Sequence, residues 1–193
     1  MEKIRLYLLA AAVLGCGFLL FASGTPADSL TGSVDIRWVF PTTSGTFATD
    51  IIAVGSSLTC PGSSNICLGY QGGTQDFTVG GLSITYKASN TINSPYASTA
   101  FNGFDFGGLT FLSGGTLAGF TLTTDIAGLT SSDVTFGLSD VVINLAGLSA
   151  NGDFTLDLVP STPAVPEPSS MTMLATGLLA MVAFILVNRA RYQ

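Results

Sequence analysis

The sequence predicts an all-β fold, a β-sandwich or jelly roll, for a body that spans residues 28–159. Three observations predict it. Apolar and polar residues alternate along many short runs, Gly-Gly and Asn-Gly pairs recur between those runs, and no stretch of the body has the 3.6-residue period of an amphipathic helix. The chain of 193 residues has room for one such domain between two apolar terminal segments.

Residues 1–27 have the organisation of a signal peptide. Lys3 and Arg5 form a short basic start, a long apolar run follows, and small residues come next. This order is typical of segments that direct export, and it predicts cleavage after Gly24 or Ala27. An uncleaved N-terminal anchor is one alternative. A lipoprotein is another, because residues 13–16 resemble a lipobox ending at Cys16, but the apolar run continues past that cysteine.

Alternation along the body assigns side chains to a core or to solvent, because successive side chains of a strand point to opposite faces. In the first run Val34, Ile36 and Trp38 are predicted to face the core. Phe136 and Leu138 are assigned the same inward orientation in a later run. The predicted strands are 33–40, 46–54, 75–79, 82–87, 99–106, 116–123, 134–139, 141–145 and 153–158.

The segments 127–136 and 146–156 form a weak internal repeat, each beginning with Ala-Gly-Leu. A solenoid needs at least three stacked units, so two copies favour equivalent turn-and-strand units of one sandwich.

Cys60 and Cys67 are the two cysteines that remain after signal cleavage. In an oxidising compartment two such cysteines pair, so we expect a disulfide bond that contributes about 2 kcal/mol. A metal site at these thiols is disfavoured, because the chain has no histidine and no second cysteine pair.

The body is acidic. Between residues 28 and 164 ten aspartates face only Arg37 and Lys87, a net charge of 2 − 10 = −8. Nucleic-acid binding requires clustered basic residues, so this charge excludes a nucleic-acid partner. The same field repels anionic lipid headgroups.

The C-terminal segment has three parts. Residues 160–170 form a linker with four of the eight prolines, and prolines this close favour an extended chain. Residues 171–188 are apolar or small and, as a helix, span about 27 Å, which predicts one transmembrane helix. Residues 189–193 form a basic tail. Arg189 and Arg191 place this end in the cytoplasm and the body outside.

Val165, Pro166, Glu167 and Pro168, followed by an apolar helix and a terminal arginine cluster, closely resemble the PEP-CTERM sorting signal of Gram-negative bacteria. The same tail is also named an ice-binding protein C-terminal domain. The resemblance implies recognition of the Pro-Glu-Pro tripeptide by an exosortase, a membrane-embedded transpeptidase-like enzyme. Cleavage near the tripeptide would release the body to the cell surface or to an exopolysaccharide matrix.

Two other interpretations of the tail stay open. One is an ordinary single-span anchor without processing. The other is a GPI signal, which also combines small residues, a spacer and an apolar tail. GPI signals end in apolar residues, so Arg189 and Arg191 count against the second interpretation.

The chain has few residues suited to catalysis, and we expect no enzyme and no cofactor. The chain has no histidine, which removes Ser-His-Asp and Cys-His machinery. Asp153 and Asp157 could serve a glycosidase, but four residues of strand separate them by about 13 Å. The paired carboxyls of glycosidases lie about 5 to 9.5 Å apart.

The motifs for calcium binding and for ice binding are both incomplete in this chain. Asp140, Asn151 and Asp153 offer oxygen ligands for calcium, but no calcium-binding loop motif is present. Ice binding requires a regular array of threonines, whereas Thr121, Thr123 and Thr124 form only a local cluster. Neither site is predicted.

The function predicted is that of an exported, membrane-anchored and then exosortase-processed surface or matrix protein with a structural or adhesive role. Its partners are an exosortase, the membrane, and exopolysaccharide or other matrix components. The alternative is a carbohydrate-binding module in which Trp38, Tyr70 and Tyr96 stack on sugar rings, although Trp38 is assigned to the core. A secreted aspartate-dependent glycosidase is a weaker alternative.

Overall fold

The computed structural model describes residues 28–68, 72–91, 94–161, 174–182 and 185. The described residues between 28 and 161 form a β-sandwich, which confirms the predicted all-β fold. Its ten strands are β1 (Ser33–Val39), β2 (Thr46–Ala53), β3 (Ser56–Cys60), β4 (Gly73–Val79), β5 (Ser83–Asn90), β6 (Gly103–Gly107), β7 (Leu117–Thr124), β8 (Val134–Phe136), β9 (Val141–Asn144) and β10 (Gly152–Pro160). One helical turn, α1 (Asn65–Leu68), follows β3. A 3-10 turn (Ser131–Asp133) precedes β8.

The strands form two antiparallel sheets of five. The first sheet has the order β2-β1-β6-β9-β8, and the second has the order β3-β4-β5-β10-β7. Aromatic rings from both sheets meet between them. The ring centres of Phe77 and Phe104 lie 4.9 Å apart, and those of Tyr86 and Phe154 lie 5.0 Å apart. Packed aromatic rings of this kind dominate the energetics of a core.

The alternating sequence pattern explains why these segments form strands. In β1, Val34 and Ile36 are 1% and 0% exposed, whereas Asp35 and Arg37 face solvent. Burial of one such aliphatic side chain stabilises the fold by about 1.5–3 kcal/mol. A shift of pairing by one residue would turn every core residue outward, so this pattern fixes the register.

The body contains its own complete core, and its two ends lie close together. All buried apolar residues of the described chain fall between Leu30 and Leu158. Asp28 accepts a hydrogen bond from Ser113 Oγ at 2.6 Å. Ser161 N–H donates to the Thr116 carbonyl at 2.6 Å, three residues further along the same loop. The folded body therefore extends to residue 161, two residues past the predicted boundary at 159.

The prediction for segment 134–139 is wrong in its second half. β8 ends at Phe136, which is 45% exposed, and Leu138 is 71% exposed. Gly137 N–H donates to the Asp140 carbonyl at 3.0 Å, so the chain turns at this point instead of continuing the strand. Apolar residues still alternate along this part of the sequence, but the turn leaves Phe136 and Leu138 outside the core.

Three other elements differ from the sequence prediction. The strand expected over 99–106 begins at Gly103, because the Phe101 N–H bonds to the Pro41 carbonyl instead of to a neighbouring strand. β3 is rich in serine and threonine and was not predicted. α1 was not predicted either, since four residues are too few to show a helical period.

The two copies of the internal repeat contact each other. Gly128 and Gly147, at equivalent positions, have φ values of 88° and 76°, which glycine adopts without a steric penalty. A Cβ atom on Gly128 would lie 3.2 Å from Leu148 Cδ2. The copies lead into β8 of the first sheet and β10 of the second, as equivalent turn-and-strand units.

Candidate functional site

The sorting residues lie outside the described part of the chain. This holds for Val165, Pro166, Glu167 and Pro168, and for the charged residues assigned to topology, which are Lys3, Arg5, Arg189 and Arg191. Residues 1–27, the predicted signal peptide, also lie outside it. Of the predicted transmembrane helix, residues 174–182 and 185 are described, and they are helical and exposed. Among the described residues, no helix combines the length and the apolar character needed to cross a membrane.

The point at which the tail leaves the body is well defined. Ser161 N–H donates to the Thr116 carbonyl, and Ser161 Oγ accepts from Thr116 N–H at 2.9 Å. Ser161 directly follows β10, which lies between β5 and β7 in the second sheet. The tail therefore continues from an interior strand of the sandwich.

The structure contains a disulfide bond between Cys60 and Cys67, the two cysteines that the sequence analysis pairs, with Cα atoms 5.1 Å apart. The bond joins the end of β3 to α1. Ile66 N–H donates to Asp50 Oδ2 at 2.6 Å, and Asn65 Nδ2 donates to the Thr49 carbonyl at 3.2 Å. The disulfide thus holds α1 against the outer edge of β2.

One ion pair crosses the outer face of the first sheet. Arg37 in β1 pairs with Asp105 in β6, directly opposite in register. Burial raises the pKa of Asp105, the Arg37 guanidinium acts in the opposite direction, and the charge of Asp140 adds to the increase. Asp105 Oδ1 is buried and has no hydrogen-bond partner among the described residues. The ion pair therefore links β1 to β6, but burial of the carboxylate opposes its charged form.

A second carboxylate closes the N-terminal end of the body. Asp28 accepts hydrogen bonds from the Ser113 hydroxyl and from the Ser113 N–H. The Ser113 hydroxyl lowers the pKa of Asp28, because a hydrogen bond to the charged carboxylate stabilises it.

The two aspartates considered for catalysis lie on one strand of the second sheet. Asp153 and Asp157 share the outer face of β10, and Asp153 N–H bonds to Asp125 Oδ1 at 2.6 Å. Asn151 Oδ1 accepts from the Asn90 N–H. Across the described ranges, no group of three or more His, Cys, Asp or Glu residues is placed to hold a metal ion.

The aromatics proposed for sugar stacking face inward where they are described. Trp38 is partly buried, and its Nε1 donates to Asn102 Oδ1 at 3.0 Å. Its ring centre lies 5.1 Å from that of Phe47. Tyr96 is 6% exposed and its hydroxyl bonds to that of Tyr86. Tyr70 lies outside the described residues.

An open groove of about 600 Å³ runs along β7, between that strand and residues 129–131. Partly buried Phe120 and Leu122 contribute its apolar surface, with Leu129 beside them. Sequence reasoning missed this groove, because alternation alone assigns Phe120 and Leu122 to a closed core. A smaller groove of about 480 Å³ lies between β2 and α1.

The threonines considered for ice binding do not share one surface. Thr121 and Thr123 are exposed on the outer face of β7. Thr124 Oγ1 instead donates to the Asp153 carbonyl at 2.8 Å. The local cluster is thus divided between two orientations.

Comparison with known proteins gives one result. No curated protein and no solved structure matches the chain significantly. A family model described as the PEP-CTERM protein-sorting motif matches residues 164–189, which begin three positions after Ser161. The match contains the four sorting residues named from the sequence. The chain is therefore identified as an exosortase-targeted protein that carries the PEP-CTERM protein-sorting motif.

Proposed function

We propose that the chain is exported, held in the inner membrane by residues 171–188 with its body in the periplasm, and then cleaved by an exosortase. The body is thereby delivered to the cell surface or to an exopolysaccharide matrix. The observation that carries this proposal is the PEP-CTERM match at residues 164–189, next to a body that ends at Ser161. The basic and apolar organisation of residues 1–27 supports export.

The short connection between body and motif bears on how the enzyme reaches its substrate. Pro166 lies five residues after Ser161, and five residues span at most about 18 Å. The exosortase must therefore approach close to the loop that contains Thr116. Both ends of the body meet at this loop, so the opposite end of the sandwich stays accessible to other molecules.

The role proposed for the delivered body is structural or adhesive and not catalytic. The chain has no histidine, and the carboxylates weighed for catalysis lie four residues apart on one strand face. Its acidic surface and closed aromatic core suit a stable matrix component. The partners proposed are exopolysaccharide or other matrix components.

Replacement of Pro166, Glu167 and Pro168 by alanine tests the proposal. The full-length precursor should accumulate in the membrane fraction, because the tripeptide that the enzyme recognises is gone. Immunoblots of membrane and secreted fractions measure the result. Thr162→Ala with Pro163→Ala is the matched control, since both residues precede the matched segment. Unchanged release of the triple variant would contradict the proposal.

A further inference from the structure

A sandwich of two open sheets has four edge strands, and three of them are protected here. β8 has only three residues, and β3 has five and is followed at once by Pro61. β2 is longer, but Asn65 of α1 occupies the Thr49 carbonyl on its outer edge. Short strands, prolines and covering segments are the features that prevent edge strands from pairing with other chains.

The fourth edge strand, β7, is bonded at its first residue, where the Leu117 N–H donates to the Leu138 carbonyl at 2.8 Å, and is open further along. Its eight residues include no charged residue and no proline. The N–H of Leu158 in β10 donates to the Leu82 carbonyl, so the backbone groups of Leu158 point toward β5 and away from β7. Phe120 of β7 lies opposite Leu158 as a non-hydrogen-bonded partner. Because backbone groups alternate sides along a strand, the N–H and C=O groups of Phe120 and Leu122 point away from β10. No described residue of the chain pairs with them.

The same strand has incomplete cover on its inner face. Phe120 and Leu122 lie opposite Leu158 and Leu156 of β10. These two leucines are buried, so Phe120 and Leu122 are on the same inner face of the sheet. The facing edge strand β8 is less than half as long as β7, and the ring centre of its Phe136 lies 5.7 Å from that of Phe120. The open groove lies on this strand, between β7 and residues 129–131.

We propose that β7 pairs with β7 of a second copy of this chain, antiparallel, about a two-fold axis at Thr121. Phe120 of each copy then lies opposite Leu122 of the other, and these residues exchange backbone hydrogen bonds. The two Thr121 side chains meet on the outer face. The second sheets join into one continuous sheet of ten strands, and the second copy lies beside the groove that Phe120 and Leu122 line.

A second copy suits this edge because the strand complements itself. The rotation brings an apolar residue against an apolar residue and threonine against threonine, both of which are favourable cross-strand pairs. The bodies carry a net charge of −8 and repel each other, so an uncharged edge is where two copies can meet. On the neighbouring strand β10, the acidic residue Asp157 lies opposite Thr121. Three strand spacings, about 14 Å, would separate the two Asp157 residues, beyond the screening length of about 8 Å.

Cysteine cross-linking of the full chain, purified in detergent from cells without an exosortase, tests the proposal. In the paired register Thr121 of one copy lies opposite Thr121 of the other, as a non-hydrogen-bonded pair. Their Cα atoms are about 4.5 Å apart, a distance that suits a disulfide. Thr123 of one copy lies opposite Gly119 of the other, and the two Thr123 residues of the dimer are about 14 Å apart. Under a mild oxidant, Thr121→Cys should form a dimer that a thiol reductant dissociates, and Thr123→Cys should form none.

A second pair of variants keeps the test independent of cysteine chemistry. Thr121→Lys places two like charges opposite each other and should weaken self-association about two- to fivefold in sedimentation experiments, whereas Thr123→Lys should not. Both threonines are exposed, so circular dichroism should show the wild-type fold for all four variants. Equal cross-linking at both positions, or a wild-type chain that sediments as a monomer, would overturn the proposal. Neither outcome depends on exosortase processing.

Discussion

The body and the C-terminal segment differ in how sequence leads to function. The body, residues 28–161, has a complete core and no significant match to a curated protein or a solved structure. Residues 164–189 match a known sorting motif through a short local string. A processing enzyme reads consecutive residues, whereas a core depends on side chains from distant strands. Identification of the sorting motif therefore says little about the body, and the two regions must be tested separately.

Loss of a central ring should have the largest effect on the body. Phe104 is fully buried and its ring lies within 5.3 Å of Tyr86 and 4.9 Å of Phe77. Phe104→Ala should lower the free energy of unfolding by about 3–5 kcal/mol, because it leaves a cavity between the sheets. Urea unfolding of the chain ending at Ser161, which contains the whole core, measures this. Phe47→Ala, at a ring that is 58% exposed, is the control and should cost much less.

Removal of the disulfide bond should have an intermediate effect. The double variant Cys60→Ser, Cys67→Ser should lose about 2 kcal/mol of stability, because the unfolded chain is no longer constrained by the small loop. The wild-type chain in a thiol reductant should unfold at the same urea concentration as the variant. A variant as stable as the oxidised protein would show that the bond contributes nothing to the body.

The smallest expected effect is on the pH dependence of stability. Burial raises the pKa of Asp105 in the folded state, so the folded body binds this proton more tightly than the unfolded chain does. The stability that Asp105 contributes is present below its unfolded pKa of about 3.9 and is lost as the pH rises through the folded value. In urea unfolding, Asp105→Asn should therefore become more stable relative to wild type as the pH rises above about 4.

The matched variant for this measurement is Arg37→Gln. Arg37 opposes the increase in the pKa of Asp105, so its removal should raise that pKa further and steepen the loss of stability with pH. A difference between Asp105→Asn and wild type that shrinks as the pH rises would contradict the assigned direction.

Local patterns predicted the parts of the structure that depend on neighbours in sequence. Alternation identified β1, and its Val34 and Ile36 are buried as predicted. The disulfide pairing followed from the presence of only two cysteines in the body. Leu138 was misplaced because its period-two pattern continues through the turn at Gly137, where backbone hydrogen bonding ends the strand.

The open edge at β7 could not be predicted, because it arises from strand order. β1 pairs with β6 although about 70 residues separate Arg37 from Asp105, and nothing local in either strand specifies that choice. Only this order places the short β8 opposite the longer β7 and leaves Phe120 partly covered. Sequence alone assigns such a residue to a filled core.

The position of β10 has a mechanical consequence for a tethered protein. Tension transmitted through the C-terminal segment enters at Ser161 and runs along β10, which has hydrogen-bonded neighbours on both sides. Such a pull loads the bonds to β5 and β7 together in shear, whereas a tether on an edge strand would peel bonds away one after another. A chain held by this segment would thus be pulled through a strand that is bonded to the sheet on both sides.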